Sequence, residues 1–222
     1  MMIRTANPAP GRIAAALAGL AMAGCGLATT TARPEPPPHV RHINPDVEWS
    51  EIKASRAAGR TGTFALEVRP TLERSVLWGD QHLGSVRVRV LPYASGLWEE
   101  LSALLRWRYQ AGPYYPAKAR DAPQLIEEAL ARYRTALVAV GLDGEAQDLI
   151  VEPDRRVGLT LAAGEYLVVS EAECCSAPIH KVWVWLLRAR LEPHATAVVL
   201  LEDGNRLCFE AWTRSDTRCR ER

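Results

Sequence analysis

Residues 156–170 read Arg156-Val157-Gly158-Leu159-Thr160-Leu161-Ala162-Ala163-Gly164-Glu165-Tyr166-Leu167-Val168-Val169-Ser170. Two apolar-rich runs, Val157–Leu161 and Glu165–Ser170, flank Gly164, a residue whose backbone freedom suits a chain reversal, and both runs read as strands. Working outward, the same signal recurs at Ala136–Val140, Val182–Leu191, Thr196–Leu201 and Arg206–Trp212. Asp143-Gly144, Pro153-Asp154, Pro178, Pro193 and Asp203-Gly204 punctuate these runs with turn chemistry. From Thr135 onward the chain therefore reads as all β, and several short strands at this spacing imply a sandwich.

Upstream, Phe64–Val68 and Ser85–Leu91 alternate apolar and polar residues. In Ser85-Val-Arg-Val-Arg-Val-Leu91 the valines share one face and the arginines the other, the pattern of a half-buried strand. Two helices interrupt the strands. Ser95 can cap the first, whose Leu97, Trp98, Leu101, Leu104 and Leu105 form one apolar stripe ending near Tyr109, before Gly112-Pro113. The second opens at Asp121, with Pro123 in its first turn and Gln124 completing a capping-box pattern, and continues through Leu125, Ile126, Ala129, Leu130 and Tyr133. The expected fold is mainly β: a β-sandwich with an inserted helical segment of about two helices near 95–134, within a single globular domain spanning 46–222.

The run Arg156–Val169, followed by the strand ending at Leu191 and by Ala195-Thr-Ala-Val-Val-Leu200, resembles the transthyretin-like or carboxypeptidase-regulatory sandwich, in which a strand leads to a Pro/Ala-Gly-x-Tyr turn. An Ig-like sandwich satisfies the same strand pattern. The resemblance covers residues 135–202 and implies a noncatalytic scaffold.

The N-terminus carries a different message. Arg4 and Arg12 precede the apolar run Ile13–Ala23, and small residues then lead to Cys25. A positive segment, a short apolar core and a small-residue end are the requirements of a secretory signal, here residues 1–24, and the core is too short to span a bilayer. Its ending, Met22-Ala23-Gly24-Cys25, resembles the lipobox of bacterial lipoproteins, with Met22 where leucine is usual. The resemblance implies lipidation of Cys25 and anchoring to the cell envelope. With Gly26 rather than aspartate next, it further implies the outer membrane, facing the periplasm. Residues 25–45, with Pro34-Glu-Pro-Pro-Pro38, read as a linker. Proline-rich chain extends at ~3.1 Å per residue, so this arm could hold a folded body up to roughly 60 Å from the lipid. His39 and His42 in such an arm make a poor metal site.

Composition limits the partners. The 222-residue chain is 48% hydrophobic with a formal charge of +1, and loss of Arg4 and Arg12 with the signal takes that charge to −1. No basic face offers the electrostatic attraction that nucleic acid requires. The membrane, through the lipid, and an envelope protein are the expected partners, and no cofactor or metal is implied.

No Gly-x-Ser-x-Gly, His-Glu-x-x-His, P-loop or Ser-x-x-Lys motif occurs, so no enzyme is expected. The adjacent acids Glu99 and Glu100, and Glu127 and Glu128, read as solvated helix faces. Trp183 and Trp185 share one side of a strand whose other side bears Val182, Val184 and Leu186, which reads as a central strand covered on both sides. Trp107, Tyr109, Tyr114 and Tyr115, with Pro113 and Pro116, form an aromatic patch that either packs or presents rings to a ligand such as a glycan.

With Cys25 taken by lipid, Cys174, Cys175, Cys208 and Cys219 remain for an oxidising compartment, and two disulfides are expected. Joining the neighbours Cys174 and Cys175 is disfavoured, because a trans peptide sets Cα atoms about 3.8 Å apart, below the usual disulfide range. Pairing of each with one of Cys208 and Cys219 is preferred, and the competing reading makes Cys174, Cys175 and His180 metal ligands. The expected role is that of a lipid-anchored, noncatalytic interaction or scaffolding protein, with a periplasmic metal or glycan binder as the alternative.

Overall fold

A computed structural model of the chain describes residues 44–69, 83–109, 121–174 and 181–207, all within the unit Pro34–Arg222. The signal segment with Cys25, the linker up to residue 43, Tyr114, Tyr115, Cys175, Cys208 and Cys219 lie outside the described residues. The elements run α1 (Pro45–Glu48), α2 (Ser50–Ala57), β1 (Thr61–Arg69), β2 (Val86–Pro92), α3 (Ser95–Tyr109), α4 (Ala122–Ala139), β3 (Gln147–Val151), β4 (Arg156–Ala162), β5 (Gly164–Cys174), β6 (Lys181–Leu191) and β7 (Thr196–Glu202). Helices and strands are thus mixed, where the sequence pattern leads one to expect mainly β.

The strands form two sheets, one ordered β4-β1-β7 and the other β3-β2-β5-β6. β1 pairs antiparallel with β4 but parallel with β7, Phe64 lying opposite Leu159 on one side and Ala197 on the other. β2 is antiparallel to both β3 and β5, and β5 is antiparallel to β6. Register sets the faces, because residues directly opposite across a ladder point the same way. Val88 and Val90 of β2, Val168 and Ser170 of β5, and Trp185 of β6 share one face. That face meets the three-stranded sheet: Phe64 packs edge-on against Tyr166 at 5.4 Å, and the Trp185 indole N–H donates to the Glu202 carbonyl at 2.9 Å. The opposite face carries Arg89 and Glu171 and lies toward α3 and α4, whose side chains pair with these residues.

β6 is the outermost described strand of its sheet, not a central one. Val182 through Leu186 are nevertheless buried on both faces, so the expected covering holds for the faces while the expected lateral position does not.

Several expectations are corrected. Ala136–Val140 is not a strand, because α4 runs on to Ala139. Leu137 continues the buried stripe of Ile126, Ala129, Leu130 and Tyr133, and helical spacing wins over the local apolar run. The helix stops where Gly141 turns left-handed at φ +69°, with Leu142 N–H bonding to Leu137 O at 2.9 Å and Gly141 N–H to Val138 O at 3.0 Å. That pair of bonds is a Schellman ending, and Leu137 and Leu142 are both buried beside it. Asp143-Gly144 then lies in a short 3₁₀ turn, Asp143–Glu145, and not in a strand reversal. Asp121 precedes α4 without bonding its amides through the side chain, and Gln124 reaches forward to Glu128, so the capping box does not form. Arg206 and Leu207 belong to no strand, and the rest of the run to Trp212 lies outside the described residues. Helices α1 and α2 and strand β3 were not foreseen.

Gly164 links the two sheets, since β4 ends at Ala162 in one and β5 begins at Gly164 in the other. Its φ of +155° is a conformation that side chains resist, and a Cβ there would fall 2.4 Å from Ile52 Cγ1 of α2. Beside this crossing the Tyr166 hydroxyl lies 2.9 Å from the Ala162 carbonyl and 3.0 Å from the buried Glu145 carboxylate, which also accepts the Ala162 N–H at 2.9 Å.

Candidate functional site

The alternation of valine and arginine in β2 sends Val86, Val88 and Val90 toward the other sheet and turns Arg87 and Arg89 toward the helices. Arg89 lies opposite Val169 of β5, and two residues further along that strand Glu171 projects on the same face, followed by Glu173. The last turn of α3 contributes Arg108 and Tyr109, and α4 contributes Glu127. Arg87, Arg89, Arg108, Glu127, Glu171 and Glu173 line a cleft of about 340 Å³, with Val169 and Ser170 also on its wall.

The charges are arranged in two groups. Arg108 Nη1 lies 2.9 Å from Glu171 Oε2, and Arg108 Nη2 lies 3.7 Å from Glu173 Oε1. The Tyr109 hydroxyl donates to Glu171 as well. Burial pushes the Glu171 carboxyl above its ordinary value of 4.5, and the nearby Arg108 and the Tyr109 hydrogen bond only partly oppose this. Burial, followed by the negative charge of Glu171, likewise raises the Tyr109 hydroxyl, which stays a protonated donor. In the other group Arg89 pairs with Glu127, a partner on the helix surface whose side chain is 62% exposed while that of Arg89 is 12% exposed. Arg87 makes no ion pair among the described residues.

A second cavity of about 270 Å³ lies at the end of α4, where Arg134 pairs with Asp148. Its one cation is already paired with Asp148, so the arginine-lined cleft is the stronger candidate.

Of the aromatic residues singled out in the sequence, Trp107 is 7% exposed and Tyr109 fully buried, so neither presents a ring to solvent. Both continue the buried stripe of α3. Tyr109 enters the cleft through its hydroxyl alone. Of the acids expected on solvated helix faces, Glu99, Glu127 and Glu128 are exposed, Glu127 also pairing with Arg89, whereas Glu100 is largely covered and pairs with Arg132 at 2.5 Å. The cleft itself went unread. Its signals were two same-face pairs at strand spacing, Arg87 with Arg89 and Glu171 with Glu173, and nothing in a single sequence says that these strands are neighbours.

Among the described residues no group of three histidine, cysteine, aspartate or glutamate side chains is arranged to hold a metal ion, and no helix is long and apolar enough to cross a membrane. Comparison of the chain with protein-family models, with curated proteins and with solved structures gives no match.

Proposed function

We propose that the chain is a lipid-anchored, noncatalytic protein of the cell envelope that acts in interaction or scaffolding, its two sheets facing each other as a β-sandwich clad on one side by α3 and α4. The observation that carries this reading is the run from Arg4 to Cys25, a positive segment and short apolar core ending in Met22-Ala-Gly-Cys25. The edge-on contact of Phe64 with Tyr166 and the Trp185 bond to Glu202 support the face-to-face arrangement, since both bridge the two sheets. The noncatalytic reading draws on the cleft's electrostatics. Glu171 and Glu173 share Arg108, and Glu127 reaches Arg89 from the helix surface, whereas paired acids that work as acid and base face each other across a gap left for substrate.

A second reading, a periplasmic glycan binder, is favoured by the size and polarity of the cleft, which suits a monosaccharide-sized polar ligand. The metal-binding version would rest on Cys174, Cys175 and His180.

The experiment is metabolic labelling with a radioactive fatty acid in a diderm bacterium expressing the full chain. Wild type incorporates label and is processed, whereas Cys25→Ala incorporates none. Label persisting in the variant, or absent from wild type, overturns the anchor.

A further inference from the structure

We infer that the cleft recognises a carboxylate on a monosaccharide-sized ligand, and that Glu127 of α4 occupies on Arg89 the position that this carboxylate takes. The inference rests on the reading of the body as a binding module.

Arg87 and Arg89 stand two residues apart on one face of β2, which separates their Cα atoms by about 7 Å along the strand. Two guanidinium groups at that spacing can converge on one anionic group. The guanidinium fork is suited to a carboxylate, which it can engage through two parallel N–H bonds. Arg108 is not available for this purpose, being committed to Glu171 and Glu173. The β2 side of the cleft therefore holds two cations against the single carboxylate of Glu127.

That carboxylate is poorly anchored. Its side chain is 62% exposed on a helix surface, where water competes for the carboxylate and weakens its hold on Arg89. A ligand carboxylate that engages both Arg87 and Arg89 exchanges one pair with a solvated acid for contacts to two guanidinium groups. The native contact also indicates the ligand's chemistry, because Arg89 already closes on a carboxylate. Across the cleft, Glu171 and Glu173 offer acceptors for hydroxyl groups, so a sugar acid fits better than a bare aliphatic acid.

The test titrates the full-length protein in detergent with glucuronate, glucose and inorganic phosphate, following binding by NMR chemical shifts. Glucuronate is expected to saturate, and glucose to leave the spectrum unchanged. Glu127→Gln, which frees Arg89, is expected to tighten glucuronate binding by about threefold or more. Arg87→Gln is expected to weaken it by about tenfold, equivalent to about 1.4 kcal/mol. Arg87 is exposed, and its variant should melt with wild type, which separates lost binding from lost folding. Phosphate saturating in place of glucuronate overturns the carboxylate assignment. Unchanged affinity in Glu127→Gln, or no saturable binding by wild type and Glu127→Gln alike, overturns the inference as a whole. Lipid labelling at Cys25 is read independently, so failure here leaves the anchored reading standing.

Discussion

The Glu48 carboxylate accepts the backbone N–H of Ser95 at 2.5 Å and lies 3.4 Å from the Ser95 hydroxyl. The amide that opens α3 is thus capped from the end of α1, where the sequence pointed to Ser95 itself as the cap. A carboxylate at this place also faces the positive end of the helix dipole.

Glu48→Ala should destabilise the protein by about 1 kcal/mol, the usual cost of a lost N-cap. Glu48→Gln, which keeps an acceptor but loses the charge, should recover part of the loss. Urea unfolding of the three proteins checks this, and identical midpoints would show that the cap contributes nothing.

Gly164→Ala should cost at least about 2 kcal/mol, combining an unfavourable φ with overpacking against Ile52. In the double variant Ile52→Ala/Gly164→Ala the overlap disappears while the φ strain stays. A double-mutant cycle in thermal unfolding should therefore show favourable coupling between the two changes. Strict additivity would contradict the packing of α2 on this turn.

Glu171 gives the protein an opposite pH response from that of an ordinary paired acid. Its carboxyl sits above 4.5 in the fold, surrounded by Arg108 and Tyr109 of α3, Arg89 of β2 and Glu173 on its own strand. Below about pH 4.5 it is protonated in both folded and unfolded chains, and its contribution to stability is fully present. As pH rises from there through the folded pKa, the unfolded chain ionises first and that contribution is lost. Glu67 works in the other direction: burial would raise its carboxyl, yet Arg69 and Arg156 hold it below 4.5, so its contribution is present above 4.5 and is lost as pH falls through the folded pKa. Glu171→Gln should therefore become more stable relative to wild type between pH 4 and pH 7, as read from denaturant midpoints across that range. Parallel curves would count against a raised Glu171.

Cys174 and Cys175 should each pair with one of Cys208 and Cys219 in the exported protein. The Leu207 N–H donates to the Val184 carbonyl of β6 at 2.7 Å, so the chain leading to Cys208 meets the strand that follows the segment 175–180. Non-reducing peptide mapping by mass spectrometry should find two cross-links and no free thiol. Free thiols at Cys174 and Cys175 with zinc or copper retained would support the metal reading instead.

What could be read in advance followed from how much of the signal was local. β1 and β2 were legible because one face of each is apolar and the residues alternate with the strand period. β3, Gln147-Asp-Leu-Ile-Val151, escaped notice because it is an edge strand with only Val151 buried and Ile150 60% exposed. The end of α4 reads as a strand because Ala136-Leu-Val-Ala-Val140 carries an apolar run whose decisive feature, Leu137 in register with Tyr133 and Ile126, shows only over about three helical turns. For the cleft, the sequence places the arginines of β2 only on the face opposite the valines of a half-buried strand. Their partners come from α4, while the acids opposite come from β5, and those neighbours are set by sheet order, which pairwise spacing in one sequence does not contain.

The placement of β1 between β4 and β7 also governs when the protein can fold. Thr61–Arg69 emerges early in the chain, yet its antiparallel neighbour ends at Ala162 and its parallel neighbour at Glu202. Sheets built from such distant segments close slowly, because the entropy of the intervening loop must be lost before any ladder bond forms. If the chain crosses a membrane N-terminus first, as proposed above, β1 lacks its antiparallel neighbour until residues 156–162 have followed it and its parallel neighbour until residues 196–202 have. During that interval its open edges are exposed to pairing with other chains.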